Sequence, residues 1–274
     1  MSFKNNLCND ADGLAPVVGT ILMVGIVVVL AAVIGTQALS VDTPDDHYER
    51  FKEITEQDIN SETLPDGLVA RWSFEGNYED VTGNGNDGSA VDDVSFTDGI
   101  SGQAIQLDGD SYVEVPSSES LNITDEITLV AYVKWTIDPA DGDKWANIVC
   151  KDVIGEWNAA YRLQHGNSLL SPNTDFEFAI DRGGNKYVQS DDGPAINDWY
   201  KIAGTYNGSE MILYINGNMV GSDELSGPIT ASNGGKLYIG TDTPSKARKF
   251  IGCIDEVQIY NRALSQAEIR SIGN

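Results

Sequence analysis

Carboxylates dominate the groups in this sequence that could do chemistry: Asp and Glu number 42 against 17 Lys and Arg. Acid–base cleavage of a glycosidic bond needs two carboxyl groups aimed at one spot. On a β-strand that means alternate positions, because neighbouring side chains point to opposite faces. The chain has no Glu-x-Asp-x-Glu or Glu-x-Asp-x-x-Glu run. Its nearest approach, Ile254-Asp255-Glu256, holds adjacent carboxylates that a strand would aim apart. Only two histidines exist, His47 and His165, so a Ser/His/Asp triad or a histidine zinc site has little to draw on. The residue types therefore point away from an enzyme.

Oxygen-rich turns point to another chemistry. Ca²⁺ takes six to eight oxygen ligands from carboxylates, amides and carbonyls. The stretch Asp80-Val-Thr-Gly-Asn84-Gly-Asn86-Asp87-Gly88 offers them, with Asp80, Asn84 and Asp87 as candidate ligands of a structural Ca²⁺. A second such loop is Asp138-Pro-Ala-Asp141-Gly-Asp143, with Asp242. The alternative is that Asn, Asp and Gly do there what they do in any tight turn. Sugar stacking is the other candidate chemistry. Trp145 and Trp157 fall in loops beside strands, with Tyr161 and Gln164 near, whereas Trp72, Trp135 and Trp199 sit in alternating strand patterns and belong in the core. Asn122-Ile-Thr124 and Asn207-Gly-Ser209 fit the N-glycosylation acceptor pattern.

The elements that must position these groups differ sharply along the chain. From Leu14 to Leu39 there is no charged residue, and about 20 apolar residues suffice to cross a bilayer as a helix. Residues 14–41 are therefore expected to be one long membrane helix. Gly19, Gly25 and Ala31-x-x-x-Gly35 give it small residues for close helix–helix approach. Residues 1–13 form a short polar leader. Residues 42–66 hold nine carboxylates against Arg50 and Lys52, with Tyr48, Phe51, Ile54 and Ile59 suggesting an amphipathic helical stem that Pro65-Asp66-Gly67 closes. From Leu68 on, short β-branched and aromatic runs alternate with Gly/Asn/Asp/Ser turns. Eleven or more strands follow, among them residues 68–74, 127–135, 160–164, 199–206 and 250–260, with a hairpin turning at Asn216-Gly217. Ser265-x-x-Glu268 caps one short terminal helix. The expected fold class is all-β, an antiparallel sandwich or barrel.

A net charge of −25 excludes nucleic acid as a partner and suits neutral ligands or cations. There are three cysteines. If the large domain lies outside the cell, a Cys150–Cys253 disulfide is allowed, with two free buried thiols as the alternative.

Two resemblances sharpen this reading. The leader ending in Gly13, followed by Leu14-Ala15-Pro16-Val17-Val18-Gly19 and the long apolar helix, resembles the N-terminus of archaeal type IV pilins. It implies cleavage between Gly13 and Leu14 by a membrane prepilin peptidase, and packing with identical or related pilin subunits. Asp12 departs from the family, which usually carries Lys or Arg there. The segments 70–88, 99–116, 120–135, 198–221, 236–242 and 250–269 resemble, in order, the laminin-G-like (LamG) concanavalin A-type jelly rolls. That resemblance implies a β-sandwich over residues 67–274 with a concave face that binds carbohydrate or protein. It also implies Ca²⁺ use, with Asp255 brought toward the 80–88 loop. The composite expectation is a pilin-like, single-pass membrane protein displaying a LamG domain outside the cell for adhesion or recognition; the alternatives are a monomeric anchored LamG protein outside any filament, or a structural subunit that binds no ligand.

Overall fold

The computed structural model describes residues 64–138, 145–154, 159–166, 175–243 and 248–273. The leader, the apolar run and most of the stem lie outside them, as do Gly13, Leu14, Asp141, Asp143 and Trp157. Among the described residues no helix is long and apolar enough to cross a membrane. Leu64–Asn274 forms one compact unit with a core of its own.

That unit is a sandwich of two antiparallel sheets. The eight-stranded sheet runs in the order β13 (Asn218–Glu224), β12 (Glu210–Ile215), β11 (Trp199–Tyr206), β6 (Ile127–Trp135), β15 (Ile251–Tyr260), β4 (Gln103–Asp108) and β3 (Ser95–Asp98), with β1 (Leu68–Trp72) added against β15. Its central members are β6, β15 and β11. The seven-stranded sheet runs β10-β9-β8-β7-β14-β5-β2. There β7 is Asn147–Lys151, β8 Tyr161–His165, β9 Phe176–Asp181, β10 Asn185–Gln189 and β14 Leu237–Ile239.

Alternation dictates what each sheet buries. Along β6, Ile127, Leu129, Ala131, Val133 and Trp135 face the other sheet, and their even-numbered neighbours face away. Trp135 is the aromatic hub at one end, with ring centroids 4.9 Å from Phe250 and 5.6 Å from Phe176. The sheets approach closely at Gly204, where a Cβ would lie 2.2 Å from the Phe178 ring. Asn216 and Gly217, at φ 51° and 75°, make the left-handed pair that a two-residue hairpin needs. Helix α1 (Gln266–Ser271) begins at the expected capping box, with Ser265 Oγ accepting from the Glu268 amide and Glu268 reaching back. It buries Ile269 in a second, smaller cluster with Leu68, Val130, Tyr214 and Tyr260, on the outside of the eight-stranded sheet.

One expectation fails for a reason of strand phase. Trp199 is not in the core: it pairs with Lys134, faces outward, and carries the Lys134 ammonium 5.0 Å over its ring. Of the two alternatives for the cysteines, the unbridged one holds: neither Cys150 nor Cys253 is in a disulfide, and both are buried. Cys150 pairs with Arg162 and Tyr238 on the outer side of the seven-stranded sheet, and Cys253 pairs with Gln106 and Lys134 on the outer side of the other. The core separates the two sulfurs, so they cannot bridge. Four strands escape the sequence pattern: β2 (Ser89–Val91), β3 (Ser95–Asp98), β10 and β13 (Asn218–Glu224). All are short or at sheet edges. Edge strand β13 is mostly exposed and carries Asp223 and Glu224, with Glu224 opposite Glu210 across the ladder.

Candidate functional site

The outer side of the seven-stranded sheet carries the most unusual polar chemistry in the domain. On β8 the odd residues Tyr161 and Leu163 enter the core, so Arg162 and Gln164 point outward. Register then places Gln164 beside Glu177 of β9 and Asn147 of β7, and Glu177 beside Gln189 of β10. A sheet's outer side ordinarily meets water, yet Arg162, Gln164, Glu177 and Asn147 are all at most 5% exposed.

These side chains hold one another in a hydrogen-bonded array. The Glu177 carboxylate accepts from Gln164 Nε2 at 2.6 Å and from Gln189 Nε2 at 2.9 Å, and lies 3.8 Å from the Arg162 guanidinium. Arg162 Nη2 also donates to Asn185 Oδ1 at 2.9 Å. Burial pushes the Glu177 carboxyl up, and Arg162 with the two amides only partly pulls it back. Three buried atoms of the array have no hydrogen-bond partner: Arg162 Nε, Gln164 Oε1 and Asn147 Oδ1. One donor and two acceptors left unmet on one face is costly, unless something arrives to use them.

An aromatic borders the array. Asn147 Nδ2 donates to the Trp145 carbonyl at 2.9 Å, fixing Trp145 next to the unmet Asn147 oxygen. Trp145 is 41% exposed, with a left-handed φ of 61° and the Arg248 guanidinium 5.6 Å over its ring. Arg248 in turn pairs with buried Asp242 at 3.5 Å. Each cation here has a carboxylate partner, and Asp175, two residues before Glu177, adds a buried carboxyl whose Oδ1 is unmet, so the patch is rich in hydrogen-bonding groups and leans acidic. Such a set suits hydroxyl-bearing ligands with a ring to stack.

The expected site residues divide. Trp145 lies at the patch. Tyr161 does not: it is fully buried, its hydroxyl donates to the Leu121 carbonyl at 2.8 Å, and strand phase gives the outward role to Arg162 and Gln164. Arg162, Glu177, Gln189 and Asn147 were not anticipated. For Arg162 and Glu177 a signal is present in YRLQH and FEFAI, where a charged residue stands between two residues of the core.

The oxygen-rich loop gathers Asp80, Asn84 and Asp87, but in a hydrogen-bonded knot. Asp80 Oδ1 accepts from the Arg71 and Thr82 amides and the Thr82 hydroxyl, while Oδ2 accepts from the Asn86 amide and side chain, all within 2.7–3.2 Å. Asp87 Oδ1 accepts from the Asp80 amide, and Asn84 donates to the Val69 carbonyl. Asp255 serves a different segment, accepting from the Ile100 and Ser101 amides at 2.9 and 3.3 Å. Among the described residues no three His, Cys, Asp or Glu side chains converge as a metal would require. In the second loop, Asp138 is exposed and Asp242 is taken by Arg248. Of the glycosylation acceptors, Asn207 is exposed in the β11–β12 turn, whereas Asn122 is half-buried and tied through Oδ1 to Ser232.

Comparison with known proteins accords with this architecture. Residues 107–270 match the family described as the concanavalin A-like lectin/glucanases superfamily, and residues 12–47 match the archaeal type IV pilin N-terminal family. No curated protein matches the chain. Among solved structures, domain 4 of AbnA, a GH43 extracellular arabinanase from Geobacillus stearothermophilus, in complex with arabinotriose, is similar at 18% identity and a TM-score of 0.60. The match covers 76% of this chain and 98% of that one. The binding domain of Paraclostridial Mosquitocidal Protein 1 is similar at 20% identity and a TM-score of 0.61, over 76% of this chain and 52% of that one. The ligand-binding domain of botulinum neurotoxin serotype D, in complex with N-acetylneuraminic acid, is similar at 17% identity and a TM-score of 0.57, over 76% and 50%. Residues 64–273 thus form a jelly roll of this type, and the chain belongs to the concanavalin A-like lectin/glucanases superfamily.

Proposed function

We propose that this is a membrane-held, pilin-like surface protein. On this reading its LamG-type domain lies outside the cell and recognises carbohydrate, in adhesion or surface recognition. The observation that carries the reading is the array on the seven-stranded sheet, where Arg162 Nε, Gln164 Oε1 and Asn147 Oδ1 are buried and unmet beside exposed Trp145. Sugar hydroxyls donate and accept at once, which is the chemistry these unmet atoms call for, and a sugar ring can stack on an exposed indole. That two structural neighbours were solved with arabinotriose and N-acetylneuraminic acid fits the same reading.

No reaction is proposed. The neighbouring carboxylates Asp255 and Glu256 are both engaged, Asp255 by the amides of 100 and 101 and Glu256 by a bidentate bond from Arg71. The test is a glycan array probed with residues 64–274, wild type against Arg162→Ala and Trp145→Ala. The reading expects binding that both substitutions abolish; binding indifferent to both would overturn it.

The N-terminal segment carries the other half of the reading: insertion in the membrane, cleavage after Gly13 by a prepilin peptidase, and assembly with pilin-type subunits. N-terminal sequencing of the native protein checks it, with Leu14 as the expected first residue. Asp12, where relatives carry a basic residue, favours the rival of an uncleaved single-pass anchor. An intact Met1 would establish that rival.

A further inference from the structure

A cavity of about 600 Å³ lies on the other side of the sandwich, on the outer surface of the eight-stranded sheet beneath α1. Its floor comes from β15, β6 and β1 (Leu68–Trp72), and its walls from the C-terminal segment and the loop at 100–101. Functional ligand pockets span roughly 300–1,000 Å³, so the space is of ligand size.

Three features distinguish it from a packing gap. First, its floor is bent: β15 bulges between Asp255 and Gln258, and Glu256 takes a left-handed φ of 49°, a conformation that non-glycine residues rarely hold. The bend directs the Glu256 carboxylate at Arg71, which donates from Nε at 2.9 Å and from Nη2 at 3.1 Å. Second, one wall is fixed, because Asp255, fully buried under the bulge, accepts from the Ile100 and Ser101 amides. Third, its cations are paired. Arg262 Nη2 lies 2.7 Å from Glu268 Oε1, as Arg71 matches Glu256. Each pair sets a donor edge beside an acceptor edge, and Asp66, 3.5 Å from Arg262, adds a further carboxylate that disfavours an anionic ligand. Tyr132 and Tyr260 complete the floor, their hydroxyls held by the Ile272 carbonyl and Gln258.

We propose that this pocket is a second carbohydrate site, for one or two rings of a neutral sugar. A hydroxyl group can bridge the donor and acceptor edges of each Arg–Glu pair, and the apolar face of a sugar ring can lie against exposed Ile100 at the wall. The inference does not depend on the Arg162 array binding anything. If both sites work, the domain binds glycan from opposite sides and can cross-link two chains or grip one at two points.

The test is amide chemical-shift mapping on residues 64–274, which contain their own core, titrated with glucose, galactose, mannose, arabinose, N-acetylglucosamine and their disaccharides, with glucuronate as a charged control. Saturable shifts at Ile100, Ser101, Gln258 and Gly273 from at least one neutral sugar are expected, weakened about tenfold or more in Gln258→Leu and in Arg71→Met. The same shifts should persist unchanged in Arg162→Ala, so that failure of this site and failure of the other are told apart. Gln258→Leu keeps the test valid if the Arg71 substitution unfolds the domain. Three results overturn the proposal: no response at these amides to any neutral sugar, an equal response to glucuronate, or a response indifferent to both pocket substitutions.

Discussion

Replacing Asp80 with alanine removes the acceptor on which the 80–88 loop converges. Five donors reach that carboxylate, two of them from Asn86, which is 1% exposed. Asn86 is itself tied to the core, because its carbonyl accepts from Trp72 Nε1 at 2.9 Å and its side-chain oxygen accepts from Ser118 and Ser120. The Thr82 donors can turn to water, but the two on Asn86 stay buried. Stranding each costs about 1–3 kcal/mol, and effects within one network do not add fully, so the expected loss is roughly 3–5 kcal/mol. For a domain of this size that is on the order of 10 °C in Tm. Asp80→Asn keeps one oxygen but turns an NH₂ toward donors, for a loss of about 2 kcal/mol. Thermal and urea unfolding of residues 64–274, with Ca²⁺ and with EDTA, reads both the magnitude and its cause. Because protein donors already occupy Asp80, chelation should leave wild-type stability unchanged. A loss under about 1 kcal/mol for Asp80→Ala, or an EDTA effect as large as the mutation's, would refute this account of the loop.

Other outcomes follow from features described above. Thiol titration of residues 64–274 without reductant should find Cys150 and Cys253 unreactive in the folded state and both reactive once unfolded; a bridge would show as no reaction in either state. Gly204→Ala should destabilise by about 1–3 kcal/mol through collision with Phe178, and an unchanged urea midpoint would mean that the sheets have room to part there. Burial raises the Asp255 carboxyl to about 6 from its ordinary 3.8, so the folded state holds that proton more tightly than the unfolded chain does. Its contribution is therefore greatest below the ordinary value and is lost as pH rises toward 6. Asp255→Asn should flatten this decline, seen as a difference in urea midpoint from wild type that changes between about pH 4.5 and pH 7; a constant difference would count against it.

How much of this was legible beforehand depended on where each residue's fate was decided. β5 (Tyr112–Val115) and β6 sit where alternation places them, because both faces of an inner strand are constrained; β11 lies at its expected residues, but its phase turns Trp199 outward. The hairpin at Asn216-Gly217 and the cap at Ser265 are local and were readable for that reason. β10 and β13 were not: an edge strand borrows its register from a neighbour and shows polar residues to water. The site suffered from the same nonlocality. Tyr161 looked like a ligand residue because aromatics stack on sugars, but a one-residue phase hands that role to Arg162. The pairing of Arg162 with Glu177, and of Asp255 with residues 100–101, belongs to tertiary topology, and no spacing along the chain announces it.

The charged flank at β13 has a consequence for crowding. An uncapped ladder normally invites the next copy to zip on, and the invitation strengthens when many copies stand close together. Asp223 and Glu224, with Glu210 behind them, make a second β13 an electrostatic opponent of the first. Densely displayed domains can therefore jostle on a surface and remain individuals.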